Sequence, residues 1–129
     1  MLSTVVLDSS AILALILDEP GREIVAKLLD GDTNLSTVNL AEAHSRLILF
    51  GNAPELAWES LLGLGCEIRP FTEDHARIAA ELMPLTKPYG LSLGDRACLA
   101  LAINRRAPVY TTDRAWKNLS LGIEIEVIR

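Results

Sequence analysis

Three observations predict a three-layer α/β domain with a mostly parallel sheet. Short β-branched runs alternate along the chain with longer segments of helical periodicity. Glycines and prolines fall at the boundaries between them. The length, 129 residues, suits one domain over residues 1–129, with little room for a second.

The elements follow in order. "TVVL" (4–7) is a short strand, and "SSAILALILDEPG" is a helical run stopped by Pro20 and Gly21. "REIVAKLLDG" carries Ile24, Val25, Leu28 and Leu29 at helical spacing, with Gly31 as its stop. "NLSTV" (34–38) reads as a second strand. "LAEAHSRLILFG" places Leu40, Ala43, Leu47 and Phe50 on one stripe. "APELAWESLLGLG" begins with Pro54 at a first helical position. "CEIRPF" is a weak strand, and "TEDHARIAAELM" a helix with Thr72 as N-cap and Ile78, Ala79, Leu82 and Met83 on one face. "PLTKPYG" reads as a loop. "SLGDRACLALAINRR" is an apolar helix, and Arg105 and Arg106 near its end suit the helix dipole. "PVYTT" (108–112) is a strand, "DRAWKNL" a short turn or helix, and "IEIEVI" (123–128) a final strand of clean alternation.

Composition narrows the function classes. Half the residues are hydrophobic but only 5% are aromatic, so the core is aliphatic. The formal charge of −5 argues against loose, charge-driven nucleic-acid binding. It does not exclude a nuclease whose acids are covered by a divalent cation. Cys66 and Cys98 form no C-x-x-C pattern and read as buried thiols in a reducing compartment. "AILALIL" is shorter than the roughly 20 residues that span a bilayer, and no signal peptide is visible. A cytoplasmic protein with no membrane partner is expected.

Four acids share one description. Asp8 follows the first strand and Asp113 the "PVYTT" strand, while Glu42 and Asp95 lie near helix starts. In open α/β sheets, ligands bind beyond the carboxyl ends of the strands, where strand order reverses. Each acid alone has an equally good reading as a helix cap, and Asn39-x-x-Glu42 and Ser92-x-x-Asp95 both resemble capping boxes. Four on one edge need a further reason. Two carboxylates about 5 Å apart repel by roughly 3 kcal/mol at an effective dielectric near 20. Protonation or a divalent cation relieves that repulsion. An all-oxygen donor set suits Mg²⁺ or Mn²⁺, and such carboxylate-held metals serve phosphodiester hydrolysis through a metal-activated water.

Competing motifs are missing. There is no G-x-x-x-x-G-K-[ST], no G-x-G-x-x-G and no G-x-S-x-G. His44 and His75 fit no metal-ligand spacing and read as surface or half-buried helix residues. Trp58, Trp116 and Tyr89 are too scattered for a base-stacking platform.

"VVLDSSAILALILDEPG", "STVNLAEAHSRL", "YGLSLGDRACLALA" and "PVYTTDRAW" together resemble the PIN-domain ribonucleases, most closely the VapC toxins of bacterial type II (VapBC) toxin–antitoxin pairs. The resemblance covers essentially the whole chain. It implies a five-stranded sheet of order 3-2-1-4-5 between helices. It implies a Mg²⁺- or Mn²⁺-dependent endoribonuclease that leaves a 5′-phosphate, a homodimer, and a cognate VapB-type antitoxin. The family's four acids fall on Asp8, Glu42, Asp95 and Asp113, and its small hydroxyl residues on Ser9 and Thr112. Asp8, Asp95 and Asp113 are expected to hold the metal, with Glu42 ligating directly or through water. Arg96, Arg114 and Lys117, adjacent in sequence, are candidate phosphate contacts, with a solvated surface charge as the competing reading. A non-catalytic binding module on the same fold, or a DNA or general RNA-processing nuclease, stand as the alternatives.

Overall fold

The computed structural model describes residues 3–129. The elements run β1 (Val5–Leu7), α1 (Ser9–Ile16), α2 (Arg22–Leu28), β2 (Thr33–Ser36), α3 (Thr37–Leu49), α4 (Pro54–Leu62), β3 (Glu67–Arg69), α5 (Glu73–Glu81), α6 (Met83–Thr86), α7 (Leu93–Arg105), β4 (Val109–Thr111) and β5 (Ile125–Val127). Short 3₁₀ turns cover Lys87–Tyr89 and Arg114–Asn118. The sheet order is β3-β2-β1-β4-β5, and all four pairings are parallel. Strand order therefore reverses beside β1, which pairs β2 on one side and β4 on the other.

Adjacent residues of β1 show the layering, because successive strand side chains point to opposite faces. Leu7 packs into a cluster with Ile12 of α1, Val25 of α2, Leu47 of α3 and Leu61 of α4. Val6 packs into a second cluster with Leu82, with Cys98, Leu99, Leu101 and Ala102 of α7, and with Trp116. The sheet lies between these two layers. Helix α7 is buried along most of its length, from Arg96 to Ala102, so its apolar composition reflects burial rather than a membrane role. Among the described residues no helix is long and apolar enough to cross a membrane.

The structure departs from the sequence reading at definable points. Strand β2 ends at Ser36, two residues before the expected limit, because the Ser36 hydroxyl accepts the Val38 N–H at 3.2 Å and starts α3 there. Asn39 is consequently inside the helix and not its N-cap. "PLTKPYG" is not a loop: Pro84 sits at the start of α6, and the Thr86 hydroxyl donates to Leu82 O at 2.9 Å. Phe50 and Met83 lie on exposed surface, off the expected core stripes. His75 is buried rather than half-exposed. Pro54 and Thr72 occupy their expected helix-start positions. Ser36→Ala should remove the α3 cap and cost about 1 kcal/mol in urea denaturation.

Candidate active site

The carboxyl end of β1 sets the centre of the site. Asp8 follows Leu7 directly and is the N-cap of α1, only 3% exposed. Its Oδ1 accepts the Ala11 N–H at 2.9 Å and the Ser10 hydroxyl at 2.6 Å. Its Oδ2 accepts the Thr111 hydroxyl at 2.6 Å. A carboxylate offers about four lone-pair sites, so one on Oδ2 stays available.

Thr111 ends the neighbouring strand. The register pairs Leu7 with Tyr110, which sets Thr111 beside Asp8. Its Oγ1 also accepts the Asp113 N–H at 3.1 Å. Asp113 in turn caps the Arg114–Asn118 turn, accepting the Ala115 N–H at 3.0 Å. One threonine thus ties two acids to the same strand end.

Asp95 and Glu42 approach from the flanking helices. Ser92 and Asp95 form a reciprocal capping box at the start of α7: Ser92 N donates to Asp95 Oδ2 at 2.9 Å, and Asp95 N to Ser92 Oγ at 3.1 Å. Glu42 Oε1 accepts the Asn39 amide at 2.8 Å and the Ser9 hydroxyl at 3.2 Å. A cleft of about 560 Å³ opens there, lined by Ser9, Ser10, Glu42 and Arg46 among others.

Charge repulsion identifies Asp95 as the hub. Burial first, then repulsion from Asp95, raises Asp8 from 3.8 to about 6, against the lowering effect of its three hydrogen bonds. Asp95 is itself raised, by burial foremost, with Glu42 and Asp113 adding repulsion and the Ser92 bonds opposing it. The thiol of Cys98 is fully buried beneath these acids, and burial together with Asp8, Asp95 and Glu42 pushes it well up. A thiol held protonated in this way is no nucleophile.

All four expected acids reach one edge of the sheet. They are not closed into a ready-made cluster: among the described residues no group of three acids is close enough to hold one ion. Each carboxylate instead rests on donors of its own helix start or helix, with Thr111 added at Asp8 and Ser9 at Glu42. Other expectations change. Thr112 is not the hydroxyl beside the acids; Thr111 is, and Thr112 contributes its backbone N–H to Ser10 Oγ at 3.0 Å. Ser9 lies beside Glu42 as expected, while Ser10, not singled out from sequence, bonds Asp8 itself. Arg96 is neither a phosphate contact nor a surface charge. It is buried, and its guanidinium donates to Ala79 O of α5 at 2.9 Å. Arg114 and Lys117 are exposed, and Arg114 donates to the Arg129 carbonyl at 3.2 Å. Arg46, not singled out from the sequence, lines the same cleft four residues after Glu42 on α3.

Residues 5–121 match the PIN-domain family model. The chain belongs to the PIN-domain family. PIN domains are nucleases, and they generally use divalent metals. The fold agrees with solved PIN structures. FitAcB from Neisseria gonorrhoeae is 26% identical, with 95% of this chain and 96% of that chain covered and a TM-score of 0.68. VapBC-5 from Mycobacterium tuberculosis, of the VapBC family of toxin–antitoxin systems, is 25% identical over 98% of each chain, with a TM-score of 0.58. VapC20 from the same organism, a sarcin–ricin-loop-cleaving toxin, is 16% identical over 93% of this chain and 98% of that one, with a TM-score of 0.72. No curated protein sequence matches the chain.

The chemistry of the donor set in this PIN domain suits a hard divalent cation, although its acids are not gathered around one point. It is all carboxylate oxygen, its Asp8 keeps one free lone pair, and its hub acid is under repulsion that a cation relieves. Thr111→Val should leave Asp8 and the Asp113 N–H each short of one partner. Urea denaturation at pH 7 should show a loss of about 1–3 kcal/mol, and a smaller loss for Thr111→Ser.

Proposed function

We propose that this PIN domain is the toxin component of a type II toxin–antitoxin pair, a Mg²⁺- or Mn²⁺-dependent endoribonuclease. The observation that carries the reading is the buried Asp8 at the switch point, which Thr111 ties to Asp113, with Glu42 held near the first turn of α7 one residue before Asp95. The toxin assignment and the choice of RNA are supported by the similar structures, which include toxin–antitoxin proteins and a sarcin–ricin-loop-cleaving toxin. A VapB-type antitoxin is the corresponding partner. A homodimer acting in the cytoplasm completes the reading; exposed Leu49, Phe50 and Leu56 supply apolar surface for assembly.

Asp8, Asp95 and Asp113 would hold the cation, with Glu42 ligating directly or through water. The cation supplies activation of the attacking water and charge stabilisation at the phosphoryl group. The protein's share is positioning. Ser10, Ala11 and Thr111 fix the Asp8 carboxylate, and the Ser92 capping box fixes the hub. No side chain serves as the nucleophile. Arg46, on the wall of the cleft beside Glu42, and the exposed Arg114 and Lys117 carry the positive charge available to substrate phosphates.

Incubation of the purified protein with a mixed set of RNAs and DNAs tests the reading. Cleavage of RNA with Mg²⁺ or Mn²⁺, its loss in chelator, and 5′-phosphate ends are the expected result. Cleavage confined to DNA, or undiminished in chelator, would overturn it.

A further inference from the structure

Glu42 is held by an arrangement that the family assignment does not describe. A β-carbon on Gly94 would lie 2.1 Å from Glu42 Oε2 and 2.6 Å from Oε1, well inside any tolerable contact. The backbone at Gly94 is ordinary helix, so its glycine is required by space and not by conformation. The carboxylate of Glu42 therefore rests directly on the first turn of α7, one residue before Asp95.

Asn39 closes the arrangement from α3. It is only 1% exposed, and its Nδ2 donates both to Glu42 Oε1 at 2.8 Å and to Gly94 O at 3.0 Å. Its Oδ1 is buried without a hydrogen-bond partner. Turning the amide over would set that oxygen against two acceptors and strand the donors. The two acceptors thus fix the orientation, at the expense of one unsatisfied oxygen.

We propose that Asn39 and Gly94 are positioning residues that clamp the Glu42 carboxylate against α7. The clamp sets the separation of Glu42 from Asp95, and through it the affinity of the acid edge for a divalent cation. This inference rests on the metal-dependent reading above.

The test is calorimetric titration of Mn²⁺ into the full chain, for wild type, Asn39→Ala, Gly94→Ala and Glu42→Gln, and for each of the first two combined with Glu42→Gln. Gly94→Ala is expected to fold, because the group it displaces is the far end of a flexible side chain. Asn39→Ala provides a second route that adds no bulk. Melting temperatures in chelator are read on the same samples.

Each single clamp variant should weaken Mn²⁺ binding by about tenfold, as loss of a group supporting a metal ligand does. In the Glu42→Gln background the same changes should add little, because the group they position has lost its charge. Full additivity with Glu42→Gln, or lower melting temperatures with unchanged Mn²⁺ affinity, would overturn the clamp while leaving the metal reading intact. A wild-type protein that binds no Mn²⁺ would overturn the metal reading itself and the clamp's role with it.

Discussion

Asp8→Asn is expected to lower metal-dependent RNA cleavage by on the order of 10³-fold or more, and to raise the melting temperature of the same protein in chelator. The substitution keeps shape and capping. An asparagine Oδ1 still accepts the Ala11 N–H and the Ser10 hydroxyl, and its amide finds an acceptor in Thr111 Oγ1. What it removes is a buried negative charge. If Asp8 served only as an N-cap, the change would be nearly silent, since Asn and Asp cap helices about equally well. The two roles therefore separate in two independent measurements: a change in both for a metal-holding acid, and in neither for a cap. Asp95→Asn extends the argument. Its Oδ2 position still sits by the Ser92 N–H, but the hub of the repulsion is gone. Full cleavage by a clean preparation of either variant would refute the metal reading. A large fall in chelator melting temperature would mean that the hydrogen bonds to the ionised carboxylate stabilise the fold by more than its burial and repulsion cost.

The acids were legible in the sequence because the rule that finds them is about position. A carboxylate just after a strand, or near a helix start, lies on one edge of a parallel sheet whatever the details of packing. What the sequence lacked was register and rotation. "TT" offered two hydroxyls, and only the pairing of Leu7 with Tyr110 decides that Thr111 and not Thr112 meets Asp8. Arg96 follows Asp95 by one residue, which is about 100° around a helix. In a helix buried along most of its length that rotation leads inward, to Ala79 O, and no polar stripe marks the difference. Asn39 departs from its expected place for a related reason. Reading "NLSTV" as strand to its end pushed the helix start three residues late, past the Ser36 cap. Its true place, one turn before Glu42 and against Gly94, depends on how α3 meets α7. The capping box at Ser92 and Asp95, by contrast, is local, and its Ser-x-x-Asp spacing is enough to specify it.

The burial of Asp8 has a consequence for stability against pH. Its carboxyl is raised from 3.8 to about 6, so the folded chain binds that proton more tightly than the unfolded chain. Stability from this group is fully present below about 3.8 and is lost as the pH rises through about 6. The span corresponds to about 3 kcal/mol. With cations chelated, wild type should therefore lose stability between pH 4 and pH 7 relative to Asp8→Asn, in which no proton is exchanged there. The comparison with the variant matters because other carboxylates titrate in the same range; the exposed pairs, such as Arg22–Asp18 at 2.7 Å, contribute little in water. Urea denaturation of both proteins at stepwise pH measures the difference directly. Saturating Mn²⁺ should abolish most of it, since an ion that binds the ionised acids stabilises the folded form above pH 6 and not below. A difference that is flat with pH would mean that Asp8 ionises freely in the fold. One that rises with pH would mean that its hydrogen bonds from Ser10, Ala11 and Thr111 outweigh its burial. Burial wins in the present geometry because three donors compensate a carboxylate only in part when Asp95 repels it and almost no solvent reaches it.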